Sequence, residues 1–567
     1  MRLALFSSLR GYDGRWLRGD LLAGVTVWAV LIPESLAYAS IAGVSPVVGL
    51  YAAPGALILY AALGSSRHLV CGPMSATAAL SAATVADVIP VGDSRFAAFT
   101  AGLAIATGIA ALLAGLLRLG FLAAFISEPV IKGFIVGLAL TIIVGQLPKL
   151  FGVDGGEGNF FEKAWDLVGE LGGTDVLTLL VGAVSLAVVL ALRRWLPVVP
   201  GSLLAVLLGI GAVKAFDLDV AIVGHIDGGL PSLGLPDADY GALAAGGVAV
   251  MLVGFAEGLG AAKTYAAREH YAIDVNRELR GLGGANLAAG LSSGMVVNGS
   301  LSKTAVNGAA GARTQLSGLV VAALTIVTLL FLTALFESLP EATLAAVVIA
   351  AVIELVDVAS LRRLYGDTSS AIRRAYGGVG SRPDFLAALA ALAGVLVFDT
   401  LPGLFIGIAV SILLLLYRAS KPYVATLGRA GDRYVDRRRH PEAERVDKVA
   451  VVRVEGGLYF ANADAVRDHL LTVAEDVRAV VIDAETIPFV DVTAATALDQ
   501  LAGDLRRRGV RLMIARDVGQ VRDMLGRVSD EAALLEVYPS VRAAVDAQSP
   551  CGGDTRSSAS PRRSGTQ

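Results

Sequence analysis

From about residue 20 to residue 417 the chain passes through one long apolar run after another. Many of these runs are near the ~20 residues that a helix needs to cross the hydrocarbon core of a bilayer. The composition agrees: of 567 residues, 55% are hydrophobic and only 17% charged, whereas a soluble domain carries nearer a quarter. An ordinary soluble enzyme is excluded, and a polytopic α-helical membrane protein is expected. The net charge of −3 carries little information, because what matters here is where the charges lie. The arginines at 2, 10, 15 and 18 lack a cleavable signal pattern after them and read as the flank of a first span.

Fourteen hydrophobic segments can be placed, starting near residues 21, 47, 72, 96, 121, 175, 199, 240, 281, 300, 315, 341, 384 and 402. Those around 72–87 and 281–308 are short or interrupted, as expected where helices break inside a transporter. With the N-terminus in the cytoplasm, loops after even-numbered segments should hold the cations. Arg67, Arg118, Arg193, Arg194, Arg268, Arg277, Arg280, Arg313 and the group from Arg362 to Arg382 fall there. The odd-numbered loops are acidic or neutral, with Arg95, Lys149 and Lys214 the main exceptions. Both termini are therefore expected in the cytoplasm of a multi-pass protein of the cell (plasma or inner) membrane.

The domain boundaries are set by the same changes in composition. Residues 1–19 form a cytoplasmic N-terminus, and 20–420 a transmembrane domain with halves at about 20–215 and 240–418. Residues 421–446 read as a basic linker, 447–546 as a small α/β domain and 547–567 as a disordered tail. Within the α/β domain, strands are expected at Lys448–Val454, Leu458–Phe460, Ala479–Asp483 and Val510–Ile514. Helices are expected at Asp464–Ala474 and Thr493–Arg508.

One pattern occurs twice, 227 positions apart: Gly72-Pro73-Met74-Ser75-Ala76-Thr77-Ala78 and Gly299-Ser300-Leu301-Ser302-Lys303-Thr304-Ala305 both read G-x-x-S-x-T-A. An acid in an apolar run leads each glycine, Glu34 by 38 residues and Glu257 by 42, and both acids open E-x-L-x-x-A. Matches in the same order at near-equal spacing suggest a duplicated unit. Transporters built from two repeats hold substrate where interrupted helices from the halves meet. Each glycine motif has the character of a helix start, with Pro73 suited to a first turn and Ser75 and Ser302 supplying hydroxyls. Free N–H groups and the positive end of the helix dipole make such starts attractive to anions. Close helix packing by small residues is the competing explanation. Lys303 is an intramembrane cation with no counterpart in the first copy, where Ala76 stands, and Glu257 lies mid-span in Val250–Gly260. Intramembrane charges are functional candidates. For Lys303 the alternative is snorkelling to the surface, and for Glu257 a static pairing with Lys303 or with a backbone donor.

Other chemistries are poorly supported. The two cysteines, Cys71 and Cys551, suggest neither a disulfide framework nor a metal site. There is no H-E-x-x-H, no G-x-x-x-x-G-K-[ST] and no His/Asp/Ser constellation among only five histidines. An enzyme, an ATP-driven pump, a metal or organic cofactor and a nucleic-acid partner are accordingly not expected.

Several motifs resemble the sulfate permease (SulP) family of anion transporters. They are Asp20-Leu21-Leu22-Ala23-Gly24 through Pro33-Glu34-Ser35-Leu36-Ala37-Tyr38-Ala39, Gly49-Leu50-Tyr51, Gly64-Ser65-Ser66-Arg67-His68 and the run from Phe125 to Phe134. The stretch from Asn276-Arg277-Glu278-Leu279 to Gly311-Ala312-Arg313-Thr314-Gln315-Leu316 is similar to the family's second-half motif, and residues 448–546 look like its STAS domain. The resemblance implies fourteen spans as a seven-plus-seven inverted repeat, a core domain moving against a gate domain, and a homodimer in the bilayer. It implies a small anion held between the third and tenth spans, near Gly72, Ser75, Ala76, Gly299, Ser302 and Lys303. It further implies that Glu257 matches an eighth-span acid used for cation coupling, with H+ expected and Na+ the alternative. Glu34 departs from the family, which commonly has Gln there. It either adds a proton site, pairs with Lys303 or faces away. Thr493 fills the position of a phosphorylatable hydroxyl in STAS relatives, with helix capping as the alternative. Sulfate, bicarbonate, chloride, nitrate and dicarboxylates all remain open as substrates. So do an uncoupled channel or exchanger, and a regulatory membrane protein with a cytoplasmic partner at the STAS domain.

Overall fold

The computed structural model describes residues 5–548 except 122–126, 157, 197–198, 227, 354–355, 357–381, 399 and 529–534. The Phe125–Ile126 part of one motif, most of the 362–382 arginine group and the tail from 549 lie outside the described residues. Two compact units divide the chain, 1–412 and 413–567.

In the first unit the helices are α1 (Leu17–Ile41), α2 (Pro46–Leu63), α3 (Ser75–Ala86), α4 (Phe96–Leu116), α5 (Glu128–Phe151), α6 (Phe160–Glu170), α7 (Val176–Trp195) and α8 (Gly201–Phe216). The second half comprises α9 (Tyr240–Arg268), α10 (Val275–Leu291), α11 (Leu301–Ala309), α12 (Leu316–Phe331), α13 (Glu341–Val352), α14 (Arg382–Phe398) and the start of α15 (Thr400–Ser420), whose residues from 413 onward belong to the second unit. Seven described helices are long and apolar enough to cross a membrane unaided, and five more are apolar but shorter. Omitting α6, the described helices follow the order of the fourteen expected segments. The omitted helix is amphipathic, opened by a capping box between Asn159 and Glu162, with Trp165 exposed on its flank.

Two strands of three residues interrupt the helices: β1 (Val70–Gly72) before α3 and β2 (Asn298–Ser300) before α11. They pair antiparallel, Val70 with Ser300, Cys71 with Gly299 and Gly72 with Asn298. Unwound backbone at membrane depth must have its N–H and C=O groups satisfied within the protein, and here each repeat satisfies the other. Side chains complete the accounting. Asn286 bonds both the N–H and the carbonyl of Val297 at 3.0 and 2.9 Å. Gln315 donates to the carbonyls of Ser66 and Leu69, Asn307 donates to His68, and the Val70 amide donates to Thr304.

The helices sort into two bundles. One joins α1–α4 with α9–α12, and the other joins α5, α7, α8, α13 and α14, with α1 also touching α8 and α13. Glu278 of α10 fastens the first bundle at one end. Fully buried, it accepts hydrogen bonds from Tyr60 Oη (2.6 Å), the amides of Ser65 (2.7 Å) and Ser66 (2.9 Å), and Ser65 Oγ (2.6 Å). Asp20 does the same for the turn before α12, accepting from the amides of Arg313 (2.7 Å) and Thr314 (3.1 Å) and from Thr314 Oγ1 (2.7 Å).

The second unit is a six-stranded sheet in the order β4-β3-β5-β6-β7-β8. Its strands are β3 (Tyr423–Ala430), β4 (Arg433–Asp436), β5 (Val449–Glu455), β6 (Ala479–Asp483), β7 (Arg511–Ala515) and β8 (Glu536–Tyr538). β5 to β8 run parallel, while β3 is antiparallel to both β4 and β5. Its helices are α16 (Ala463–Val473), α17 (Val492–Arg507), α18 (Gly519–Val528) and α19 (Val541–Asp546). Val452, Val454, Val480 and Ile482 face α16 and α17, whereas Val449, Val451, Val481 and Met513 face α19. Burial on both faces explains why these strands read as continuous apolar runs.

Two expectations fail here. Residues 421–446 are not a linker: β3 and β4 extend the sheet, because Ala425 and Leu427 alternate into its core beneath a basic surface. Leu458–Phe460 is not a strand, since only Leu458 bridges to Val490. The adjoining Tyr459–Asn462 turn, closed by the Asn462 side chain, redirects the chain into α16.

Candidate functional site

The strand pair brings the starts of α3 and α11 together, and with them most of the residues singled out by the repeat. Ser75 opens α3 and Ala76 comes next, both buried. Gly72 and Gly299 lie within the strands rather than in the helices, and Pro73 precedes the residue that caps α3 instead of occupying its first turn. No side chain caps α3, whose preceding residue is Met74, so its first amides are left to other acceptors. In α11 the cap is Ser300, whose Oγ accepts from the Lys303 amide at 3.3 Å and lies 3.1 Å from Ser302 Oγ. Ser302 itself is exposed.

Lys303 does not snorkel. Its side chain is 1% exposed, and its ammonium crosses between the repeats. Nζ lies 2.7 Å from Glu34 Oε2, donates to the Pro73 carbonyl at 3.0 Å and stands 5.1 Å from the centre of the Tyr38 ring. The Glu34 contact is an ion pair with no well-angled donor on the carboxylate oxygen. Of the three alternatives for Glu34, pairing with Lys303 is therefore the one realised. Pro33 withholds one amide from the α1 ladder beside it. α2 comes close to this part of α1 because Gly49 has no side chain; a Cβ there would collide with the Ser35 carbonyl.

Glu257 sits in the middle of α9 with Oε2 buried and without a hydrogen-bond partner. It is not the partner of Lys303. Its helix packs on β2, where Asn298 lies against Gly254 and Gly258 and leaves its own Nδ2 unsatisfied. Among the described residues, no group of acids, histidines and cysteines is arranged to hold a metal ion.

Thr493 is the second residue of α17 and exposed, and the cap is Asp491, which accepts from Ala494 N at 2.8 Å. A carboxylate one residue ahead of the helix outcompetes a hydroxyl already inside it, so capping does not explain Thr493. Three contributors to the site went unmarked in the sequence: the Pro73 carbonyl, the Tyr38 ring and Ser300. Ser300, three residues before Lys303, carried a readable capping pattern. The carbonyl and the ring had no sequence signal of their own.

A pair of broken helices from two halves, facing each other across a buried cation, defines a repeat-built membrane transporter. The comparisons with known proteins give the family. The sulfate permease family matches residues 17–370, and the STAS domain matches residues 440–544. A probable sulfate transporter of Mycobacterium tuberculosis is 37% identical over 554 residues, covering 95% of this chain and 96% of that protein. High affinity sulfate transporter 1 of Stylosanthes hamata is 30% identical over 548 residues, covering 89% and 79%. In fold, the chain is similar to the murine Solute Carrier 26 family member A9 anion transporter in its inward-facing state, with a TM-score of 0.85 at 22% identity over 96% and 93% of the two chains. The chain belongs to the sulfate permease family. It is a multi-pass membrane transporter of anions, not an enzyme, with a STAS domain following its transport domain.

Proposed function

We propose that the protein is a proton-coupled symporter of a sulfate-type anion, working by alternating access in the cell membrane as a homodimer with both termini in the cytoplasm. The anion is held between the N-termini of α3 and α11. The observation that carries this reading is the buried Lys303–Glu34 pair at 2.7 Å. In a site built from two helix starts, the protein's own carboxylate stands where a substrate anion would meet the ammonium. Substrate and Glu34 then compete for one cation. A proton on Glu34 frees Lys303, so proton binding and anion binding favour each other by reciprocal linkage. Glu257, with a buried and unpartnered carboxylate oxygen, is the second proton acceptor on this reading. Sulfate is favoured because relatives spanning nearly the whole chain are named as sulfate transporters.

The test is uptake of labelled sulfate, bicarbonate and fumarate into proteoliposomes under an inward proton gradient, an inward sodium gradient or neither. Sulfate accumulation driven by protons, lost in Glu257→Gln while gradient-free exchange continues, is the expected result. Accumulation driven by sodium, or of bicarbonate or fumarate instead of sulfate, would replace the substrate and coupling assignment. Equal flux with and without a gradient would make the protein an uncoupled channel or exchanger.

A further inference from the structure

A cavity lined by none of the residues at the strand pair opens between the start of α1 and the turn joining α11 to α12. Its volume is about 410 Å3, and Arg15, Trp16, Gly19, Arg67, Gly311 and Arg313 line it. Three guanidinium groups and no carboxylate make up its charged lining. All three belong to loops that the distribution of cations assigns to the cytoplasmic side.

The frame of this cavity is held firmly while its arginine heads are held loosely. Asp20, buried in the first turn of α1, holds the amides of Arg313 and Thr314. Gly19 backs so closely onto the Gly311 carbonyl that a Cβ would meet it at 2.5 Å, and Gly311 itself has φ +96°, in the region that favours glycine. Arg67, by contrast, makes no ion pair among the described residues and rests over the Tyr271 ring at 5.4 Å. Arg15 is drawn back to Asp13, its side chain 89% exposed, and Arg313 to Glu269, its side chain 57% exposed. Exposed pairs of this kind contribute little. A doubly charged oxyanion offering bidentate contacts can draw both arginines away from them.

The volume falls within the ~300–1,000 Å3 typical of ligand pockets and exceeds what a bare oxyanion fills. Trp16 gives the remainder a flat, partly apolar wall. Each arginine also stands at the root of an element that builds the transport site: Arg15 before α1, Arg67 before β1 and Arg313 after α11. We propose that this cavity is a binding site for a phosphate monoester, carried on a lipid headgroup or free in solution, and that its occupancy braces α1, β1 and α11 against one another.

The experiment is thermal unfolding of the full-length protein in three preparations of nanodiscs. These are phosphatidylcholine alone, phosphatidylcholine with a minority of phosphatidic acid, and phosphatidylcholine with glycerol phosphate added to the buffer. A ligand that binds only the folded state raises the unfolding temperature with its concentration. The expected result is such a rise with phosphatidic acid or with glycerol phosphate, and the arm that responds identifies the source. In Arg67→Gln the apparent affinity should fall by roughly tenfold, the loss of one charge-assisted contact, and in Arg67→Gln/Arg313→Gln the rise should vanish. The unfolding temperature in phosphatidylcholine alone should be unchanged in Arg67→Gln, which separates a lost ligand from a damaged fold. Should Arg67→Gln fail to fold, Arg15→Gln, at an exposed residue, replaces it. No rise with either probe, or an undiminished rise in the double variant, would overturn the proposal.

Discussion

An ammonium with 1% of its side chain exposed persists in a membrane protein only where fixed partners replace its hydration. Lys303 has a carboxylate, a carbonyl and an aromatic face. Removing either charge of the pair should therefore be costly. Lys303→Ala strands the Glu34 carboxylate and Glu34→Ala strands the ammonium, each costing about 3–5 kcal/mol, whereas removing both leaves no orphan charge and costs less. Thermal unfolding in detergent of the two single variants and the double should give a double variant more stable than either single, a cycle far from additive. Uptake should be absent in Lys303→Ala and in the double, because the proposed anion site has lost its cation. Additive destabilisation would mean that the two charges are not coupled. Lys303 and Glu34 were visible in the sequence as oddities, since each breaks the repeat or the family pattern. Their contact could be raised only as one of three alternatives for Glu34, because 269 residues separate them and it takes the β1–β2 pairing, with Asp20 holding the turn after α11, to bring α1 and α11 together.

At the scale of elements, the positions of the helices were legible because apolar runs of membrane length admit few other structures. Their breaks were less so. Residues 70–72 and 298–300 carry no strand-like alternation, and they pair only because unsatisfied backbone is intolerable in lipid. Gly49 shows how such an element is held in place. Gly49→Ala should push α2 off the Ser35 carbonyl beside Glu34, costing about 1–3 kcal/mol as overpacking does. Sulfate uptake should fall more than that stability loss alone accounts for, and Ala at the exposed Gly260, where a Cβ meets nothing, should leave both unchanged. α16 carries a different test. His469 has Nε2 buried without a partner, and burial holds its imidazole below the usual 6.5. The unfolded domain therefore binds the extra proton more readily, so stability is full above about 6.5 and declines as the pH falls through that value. Chemical denaturation of the STAS domain across this range should show the decline, and His469→Gln should flatten it. An unchanged slope in the variant would assign the acid sensitivity to another group.

For the whole molecule, the order of a transport domain followed by a small α/β domain could be read from composition alone, but the boundary could not. The arginines from 433 to 439 look like a solvated tether, yet Arg433 opens β4 and Arg437, Arg438 and Arg439 form the turn that follows it, beside strands whose core-facing residues are short and few. This misplaced boundary has a measurable consequence. β3 pairs with β5 from Tyr423–Glu455 to Leu427–Val451, so a chain cut at residue 440 keeps β3 and β4 but loses the strand against which β3 is buried. An exposed, unpaired strand edge with Ala425 and Leu427 uncovered is a template for association. A chain cut at residue 421 removes the whole sheet and leaves no such edge. Size-exclusion chromatography should show the shorter truncation product as the better behaved of the two, with the product cut at 440 aggregating. Competition of unlabelled anions against labelled sulfate should give the product cut at 421 the same order of preference as the full chain, whatever its rate, because Glu34, Ser75 and Lys303 all lie in the first unit. Equal behaviour of the two truncations on the column would remove β3 from the folded domain. A changed order of preference would mean that the anion site depends on residues beyond 420.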